Sequence, residues 1–253
     1  MWDLLIVQPM LNALLFIYTL LGQNFGLAII VFTIIVRLVT YPLTAQQQKS
    51  AQAMQDLQKD KRFLEIQKKY KDDKEKLAQE QMKLYQELGI NPFGSCLPTI
   101  IQLPIIFGLY QSVIRAIGDS PLPLLTLSKS LYPFINVNDI IPLNSHFLWM
   151  DLGQPERLML FGFGVPTLAI LVAITTYLQS KLMAMPTTGD PNDQNAQMMK
   201  MMNIYMPLML GYFAYNFASG LALYFIASNL MTIVQYALMG KLNWSNLLPG
   251  KKA

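Results

Sequence analysis

The sequence is poor in the residues that build metal centres and catalytic triads. It contains one cysteine, Cys96, and one histidine, His146. A single cysteine excludes an internal disulfide bond and a cysteine metal cluster, and a single histidine argues against histidine-based zinc sites and triads. Neither of the glycine-rich phosphate-binding patterns, G-x-x-x-x-G-K-[ST] and G-x-G-x-x-G, occurs. We therefore expect no metal, no cofactor and no bound nucleotide.

Charged residues are also scarce. Asp, Glu, Lys and Arg make up 13% of the 253 residues, and hydrophobic residues make up 53%. Soluble domains carry about 25% charged residues, so this composition predicts a polytopic membrane protein. The start, Met-Trp-Asp, lacks the basic region and small-residue cleavage site of a secretory signal, and we predict no cleavable signal peptide.

Long apolar stretches predict an all-α fold with five transmembrane helices. A spanning helix needs about 20 apolar residues. The predicted spans are 25–43, 92–117, 158–180, and two closely joined helices within 199–239. Residues 1–24 are apolar with a thin polar stripe. This pattern favours an amphipathic helix lying in the membrane interface, although its length also permits a span.

A polar, helix-prone segment, 44–91, follows the first span. Its apolar residues recur at heptad-like intervals, with an interruption at Tyr70–Asp73. We interpret it as a hairpin of two antiparallel helices near 45–69 and 73–88, the alternative being a merely solvated charged face.

The distribution of basic residues predicts the topology. Most Lys and Arg residues lie in the segments 44–94, 181–200 and 240–253. The positive-inside rule then places the hairpin, the loop 181–198 and the tail 240–253 in the cytosol. The loop 118–157 and the N-terminus lie outside.

The first span contains one charge, Arg37. An arginine at the centre of a spanning helix costs about 2.5–3.5 kcal/mol on insertion scales. On a continuous helix Thr33, Arg37, Thr40 and Thr44 would share one face. The functional interpretation is a wet, cationic face inside the membrane. The alternative is that Arg37 extends to the headgroups while the threonines bond to their own helix.

Further polar residues lie within the other predicted spans. Each alone would be a helix–helix contact worth about 0.6 kcal/mol. Together, and with no acidic residue in any predicted span, they predict a hydrophilic substrate-binding groove. The candidate groove residues are Arg37, Thr33, Thr40, Gln102, Thr175, Gln179, Ser228, Thr232 and Gln235.

Three motifs carry a resemblance to a known family. They are Ile35–Thr44 (IVRLVTYPLT), Asn91–Pro98 (NPFGSCLP) with Ile101–Pro104 (IQLP), and Phe217–Tyr224 (FASGLALY) followed by Ser228-Asn229-Leu230. In these motifs the chain resembles the YidC family of membrane protein insertases. The resemblance implies a five-helix core, an N-terminal interfacial helix and a cytosolic hairpin. It also implies a groove with Arg37 as its cation and Gln102 beside the substrate path.

The resemblance also implies a function. We expect an insertase of the cell membrane, not an enzyme, which passes hydrophobic segments of new proteins from the cytosol into the bilayer. Expected partners are nascent membrane proteins and lipid, with the ribosome and the protein-translocation channel as further candidates, and the protein acts as a monomer. The short form lacks a large extracytoplasmic domain, and its short tail argues against ribosome docking through a long basic tail. The alternatives are a small-molecule transporter or channel, or a non-inserting assembly scaffold.

Overall fold

A computed structural model gives the fold. It describes residues 1–58, 60–70, 73–90, 97–117, 143–160, 163–183 and 194–242, together with positions 127, 130–133, 135, 140 and 244. All structural statements refer to these residues. The motif residues 91–96, much of the loop 118–157 and most of the segments 181–198 and 240–253 lie outside them.

The described chain is almost entirely helical, which confirms the predicted all-α class. A π-helical turn, Asp3–Val7, leads into α1. The helices are α1 Gln8–Leu20, α2 Phe25–Val39, α3 Tyr41–Gln58, α4 Lys61–Lys69, α5 Lys74–Glu87, α6 Leu97–Ile117, α7 Thr167–Met183, α8 Gln194–Asn216 and α9 Ser219–Leu238. Two short antiparallel hairpins precede α7, namely β1 His146–Phe147 with β2 Met150–Asp151, and β3 Leu158–Leu160 with β4 Phe163–Val165.

The chain divides into two compact units. The first unit comprises Met1–Val39, Leu103–Ala184 and Lys200–Ala253, and the second comprises Thr40–Gln102 and Met185–Met199. Each unit has its own apolar core.

Helix α9 is central to the first unit. It packs against α7 and against α2, and α1 packs against α2. The largest fully buried side chains of this core include Tyr18, Phe25, Ile29, Leu109, Leu152 and Tyr224. Two described helical stretches, Asp3–Leu20 and Ser219–Leu238, are long and apolar enough to cross a bilayer. Helix α2 joined to the start of α3 would be a third, and α7 is a shorter apolar helix.

The predicted start of the third span is wrong. Residues Leu158–Leu160 and Phe163–Val165 pair as strands, and the helix begins only at Thr167. Gly162, Gly164 and Pro166 explain the late start. Glycine is a poor helix former, and proline is accepted only at a helix start because it lacks an N–H group.

The first predicted span, 25–43, is not one continuous helix. Helix α2 ends at Val39 and a new helix begins at Tyr41. Pro42 accounts for the break, because it cannot donate to the helical hydrogen-bond ladder and is tolerated in the first turn of a helix. Thr40 and Thr44 therefore do not lie on the helix that carries Thr33 and Arg37.

The second unit contains the predicted helical hairpin. Its first helix is split, because the Asp60 carboxylate accepts a hydrogen bond from the Arg62 N–H (2.9 Å) and so starts α4. Asp73 caps α5 in the same way through the Lys76 N–H, at 3.1 Å. The buried side chains Leu57, Phe63 and Leu84 form its core.

Candidate functional site

Helices α2 and α9 are joined by polar side chains around Arg37. The Arg37 Nε donates to the Ser228 hydroxyl at 3.0 Å, and its Nη2 donates to the same oxygen. The Gln235 amide Nε2 donates to the main-chain carbonyl of Arg37 at 2.7 Å. Ser228 and Gln235 are 3% and 1% exposed, whereas Arg37 is half-buried. The guanidinium is thus held at the edge of the helix pair.

The predicted polar face of α9 lies inside the protein. Ser228, Thr232 and Gln235 recur at i, i+4 and i+7, and all three are buried. The Thr232 hydroxyl donates to the Ser228 carbonyl at 2.7 Å, and the buried Thr33 hydroxyl donates to the Ile29 carbonyl at 2.6 Å. Both hydroxyls therefore bond to their own helices, and the alternative interpretation expected this of Thr33.

A second polar contact joins α9 to α7. The Asn229 amide Nδ2 donates to the hydroxyls of Thr175 (3.1 Å) and Thr176 (2.9 Å). Thr175 was a predicted site residue, whereas Asn229 and Thr176 were missed. The signal was two adjacent polar residues, Ser228 and Asn229, in an apolar helix. Neighbours in sequence point to different helix faces, so the pair predicts polar contacts on both sides of α9.

Two amide oxygens of the predicted site accept no hydrogen bond from the described residues. The Oε1 atoms of Gln179 and Gln235 are buried and meet no donor there. A buried acceptor without a donor costs about 1–3 kcal/mol. The predicted site therefore combines the guanidinium of Arg37 with two buried acceptors, from the glutamines.

The remaining predicted site residues, Thr40 and Gln102, belong to the second unit. The Thr40 carbonyl accepts hydrogen bonds from the Thr44 main-chain N–H (3.0 Å) and hydroxyl (3.2 Å). Gln102 lies in the N-terminal part of α6 and is half-buried. Of the candidates in the first unit, Arg37, Thr175 and Gln179 are the partly exposed ones.

The hairpin carries a separate polar cleft of about 340 Å³ between α4 and α5. It is lined by Arg62, Glu65, Ile66, Lys69, Tyr70, Glu80, Lys83, Leu84 and Glu87. Glu80 lies 2.6 Å from the Lys83 ammonium and raises the Lys83 pKa by hydrogen bonding and charge attraction. Burial raises the pKa of the half-buried Tyr85 beside this cleft above its ordinary value. The cleft thus presents charges of both signs around an apolar base.

Known proteins resemble this chain over nearly its whole length. The family model of the 60Kd inner membrane protein matches residues 16–245. Membrane protein insertase YidC 2 of Bacillus anthracis is 36% identical over 94% of this chain and 80% of its own length. Membrane protein insertase MisCA of Bacillus subtilis (strain 168) is 35% identical over 92% of this chain and 77% of its own.

A solved structure agrees with these matches. The active YidC insertase crystal structure with the first transmembrane domain resolved is 27% identical, with a TM-score of 0.53. The match covers 87% of this chain but 42% of that longer chain.

Proposed function

Because the chain belongs to the YidC family of membrane protein insertases, its function is membrane protein insertion, and we propose that the polar site around Arg37 carries it out. In this proposal hydrophobic segments of new proteins pass from the cytosol into the bilayer beside this site. The proposed groove residues are Arg37, Thr33, Thr40, Gln102, Thr175, Gln179, Ser228, Thr232 and Gln235. One observation carries the proposal: Arg37, Ser228 and Gln235 connect two membrane helices through polar bonds, and Asn229 extends these polar contacts to a third.

The physical task of the site is to lower the free-energy cost of moving a polar tail of the substrate into the membrane. An aspartate at the centre of a spanning segment costs about 2.5–3.5 kcal/mol. Two opposite charges 4 Å apart attract by about 4 kcal/mol at an effective dielectric constant of 20. The attraction to Arg37 would therefore roughly cancel the cost of placing a substrate carboxylate in the membrane. Because the two magnitudes are similar, the contact stays weak enough for the tail to leave.

Partition of the apolar segment into lipid drives completion. Leucine-like residues each contribute about 0.3–0.6 kcal/mol on insertion scales, so 20 of them contribute roughly 6–12 kcal/mol. This exceeds the cost of a single acidic residue. In this mechanism no nucleotide is consumed, and no covalent bond is made or broken.

We assign the receiving step to the cytosolic hairpin. Its cleft between α4 and α5 offers charged and apolar contacts to an emerging chain. The partners are nascent membrane proteins and, as candidates, the ribosome and the protein-translocation channel, and one copy of the chain is sufficient.

In the proposed topology the N-terminus is outside, and α1 lies along the outer interface of the cell membrane. Asp3 pairs with Arg115 in the last turn of α6, at 2.6 Å, and the Tyr18 hydroxyl accepts from the Asn144 N–H at 3.0 Å. Both ends of this helical segment thus bind elements assigned to the same side. A crossing helix of 18 residues would instead separate its ends by about 27 Å across the membrane.

Charge substitutions at position 37 test the site. We expect Arg37→Lys to retain most of the insertion activity, since the cation remains, and Arg37→Ala to lose about tenfold, the equivalent of about 1.4 kcal/mol. Arg37→Glu should lose more. The measurement is protease accessibility of a single-span substrate in cells that depend on the variant. Ser180→Ala, an exposed hydroxyl bonded to its own helix, is the control. Wild-type insertion by Arg37→Ala would remove the charge-attraction step.

Photocrosslinking tests the substrate path. A crosslinker at position 37 or 102 should capture a ribosome-bound nascent chain. The control is position 174, an exposed site directly beside Thr175 on α7. Equal capture from position 174 would mean that the chain passes through lipid without using the polar site.

A further inference from the structure

Residues 144–156 are inserted among the starts of several helices, and we call this segment the plug. Its side chains Met150 and Leu152 are buried in the main core of the first unit. Main-chain polar groups next to these buried side chains must find partners within the protein. The partners that it finds are the first residues of α9 and α7.

The start of α9 is bonded to plug carbonyls. The main-chain N–H groups of Ser219 and Gly220 donate to the carbonyls of Gln154 (2.9 Å) and Leu152 (3.0 Å). The Ser219 hydroxyl donates to the Asp151 carbonyl at 2.5 Å. The first N–H groups of a helix lack partners within the helix, so the plug completes them. A side chain at Gly220 would meet the Leu152 carbonyl oxygen at 3.1 Å, so glycine permits this approach.

The start of α7 is bonded to the carboxylate of Glu156. One oxygen accepts from the indole N–H of Trp149 (3.1 Å) and from the Thr167 hydroxyl (2.8 Å). The other oxygen accepts from the main-chain N–H of Leu168 at 3.0 Å. Glu156 is 7% exposed. A negative charge is favourable at a helix N-terminus, so these bonds fix the plug to α7.

The plug also contacts α1 and α2. The Asn144 N–H donates to the Tyr18 hydroxyl, and the Phe147 ring occupies the space where a side chain at Gly26 would lie. Leu148, at the β1–β2 turn, has a φ of 55°. Bulky residues rarely adopt this conformation, so the contacts at the base of the turn impose its shape.

The plug lies far from the polar site along α9. Ser228 follows Ser219 by nine positions, which corresponds to about 14 Å of helix. The side chains between them, Leu221 to Phe225, are buried, as are Ile29 on α2 and Val172 on α7. A packed apolar layer therefore lies between the plug and Arg37.

We propose that the plug is the permeability barrier of this insertase. By fixing the end of α1 and the starts of α2, α7 and α9, its bonds and contacts keep the apolar layer closed to hydrated ions. The polar site can then accept substrate without opening a path for protons. This inference goes beyond the proposed function and does not depend on the role of Arg37.

The test measures proton conductance of the purified full-length protein in lipid vesicles, with a pH gradient and an entrapped pH-sensitive dye. The double variant Ser219→Ala/Glu156→Gln removes the hydroxyl bond and places an amide N–H opposite one of the donors to Glu156. We expect its conductance to rise about tenfold, the change that corresponds to about 1.4 kcal/mol. The controls Ser180→Ala and Gly164→Ala should keep the wild-type proton conductance. Ser180 bonds only to its own helix in the described contacts, and a Cβ at Gly164 would lie 3.6 Å from its nearest neighbour, an ordinary van der Waals contact.

Wild-type conductance in a folded double variant would overturn the proposal. If the double variant does not fold, Ser219→Ala is compared with Ser219→Thr, which keeps the hydroxyl. A raised proton conductance with Ser219→Ala but not with Ser219→Thr supports the proposal. Wild-type conductance with both variants overturns it. Vesicles that contain Arg37→Ala should keep the wild-type proton conductance, while the insertion activity of this variant falls. A raised proton conductance with Arg37→Ala would count against the plug as the barrier. Full insertion activity of Arg37→Ala at wild-type conductance would count only against the polar site.

Discussion

Helices α8 and α9 are neighbours in the chain but meet their surroundings in different ways. Most of the first half of α9 is buried, together with Ser228, Asn229, Thr232 and Gln235. Of the α8 residues from 203 onward, only Pro207 and Ala214 are buried. The exposed large side chains of that part are Ile204, Tyr205, Met206, Leu208, Met209, Tyr212, Phe213 and Tyr215.

The two helices also make different kinds of contact. Helix α9 contacts α2 and α7 through polar bonds, whereas α8 approaches α7 at Gly211. A Cβ there would lie 3.2 Å from the Ala173 Cβ and 3.4 Å from the Ala169 carbonyl oxygen. Lipid is as apolar as a leucine side chain, so hydrophobicity does not decide which helix is central. Polar partners and close approach of small residues do.

The largest expected difference comes from leucine truncation. Leu221→Ala on α9 should destabilise the protein by about 2 kcal/mol, near the low end for core truncations, because an unfolded helix in lipid still keeps the side chain out of water. Leu208→Ala on α8 should cost less than about 0.5 kcal/mol. Leu221 is 4% exposed and Leu208 is 63% exposed. Reversible unfolding in detergent mixtures measures both, and equal losses would refute the contrast.

A smaller effect is expected from the polar contact between α9 and α7. Asn229→Ala removes the donors to Thr175 and Thr176. Interhelical hydrogen bonds in membranes average about 0.6 kcal/mol, so two of them predict a loss of about 1 kcal/mol. Asn216→Ala is the matched control, because the Asn216 amide donates within α8, to the Tyr212 carbonyl at 2.8 Å. The same unfolding assay measures both variants. If Asn229→Ala lowers the free energy of unfolding no more than Asn216→Ala does, the contact between α9 and α7 does not stabilise the protein.

The smallest effect is expected at the close approach of α8. Gly211→Ala adds one methyl group against Ala173, which must yield by a few tenths of an ångström. Since most of α8 from residue 203 onward is exposed and the helix can shift outward, we expect a loss below about 1 kcal/mol, less than typical overpacking of a closed core. Gly211→Leu should cost more. Double electron–electron resonance between spin labels at positions 174 and 208 should then show a longer α7–α8 distance, and an unchanged distance would show that α8 does not rest on this contact.

The sequence was sufficient for the family, the function and the all-α membrane fold. Three short motifs carry the resemblance, and apolar length alone predicts helices in a bilayer. Helix starts were less predictable. The glycines and Pro166 before Thr167 were visible, but the strand pairing from Leu158 to Val165 was not, because paired strands this short have little periodicity.

The site was predicted in part. Spacing correctly put Ser228, Thr232 and Gln235 on one face, since that is a property of a single helix. It did not reveal the Asn229 contact with Thr176 or the Glu156 contact with Leu168. Both pairs depend on how separate elements pack. The assignment of the groove residues to one substrate path stays a prediction.

The amide of Asn12 has a consequence for the order of biogenesis. It donates to the Ser130 carbonyl (2.8 Å) and accepts from the Tyr132 N–H (2.7 Å), partners 118 and 120 residues later in the chain. Ribosomes add about 5–20 residues per second, so these partners are synthesised roughly 6–24 s after Asn12 itself. During that interval α1 has not yet acquired these native bonds and is free to adjust its depth. Its final docking is therefore a late event, which waits for the segment around residue 130 to be synthesised.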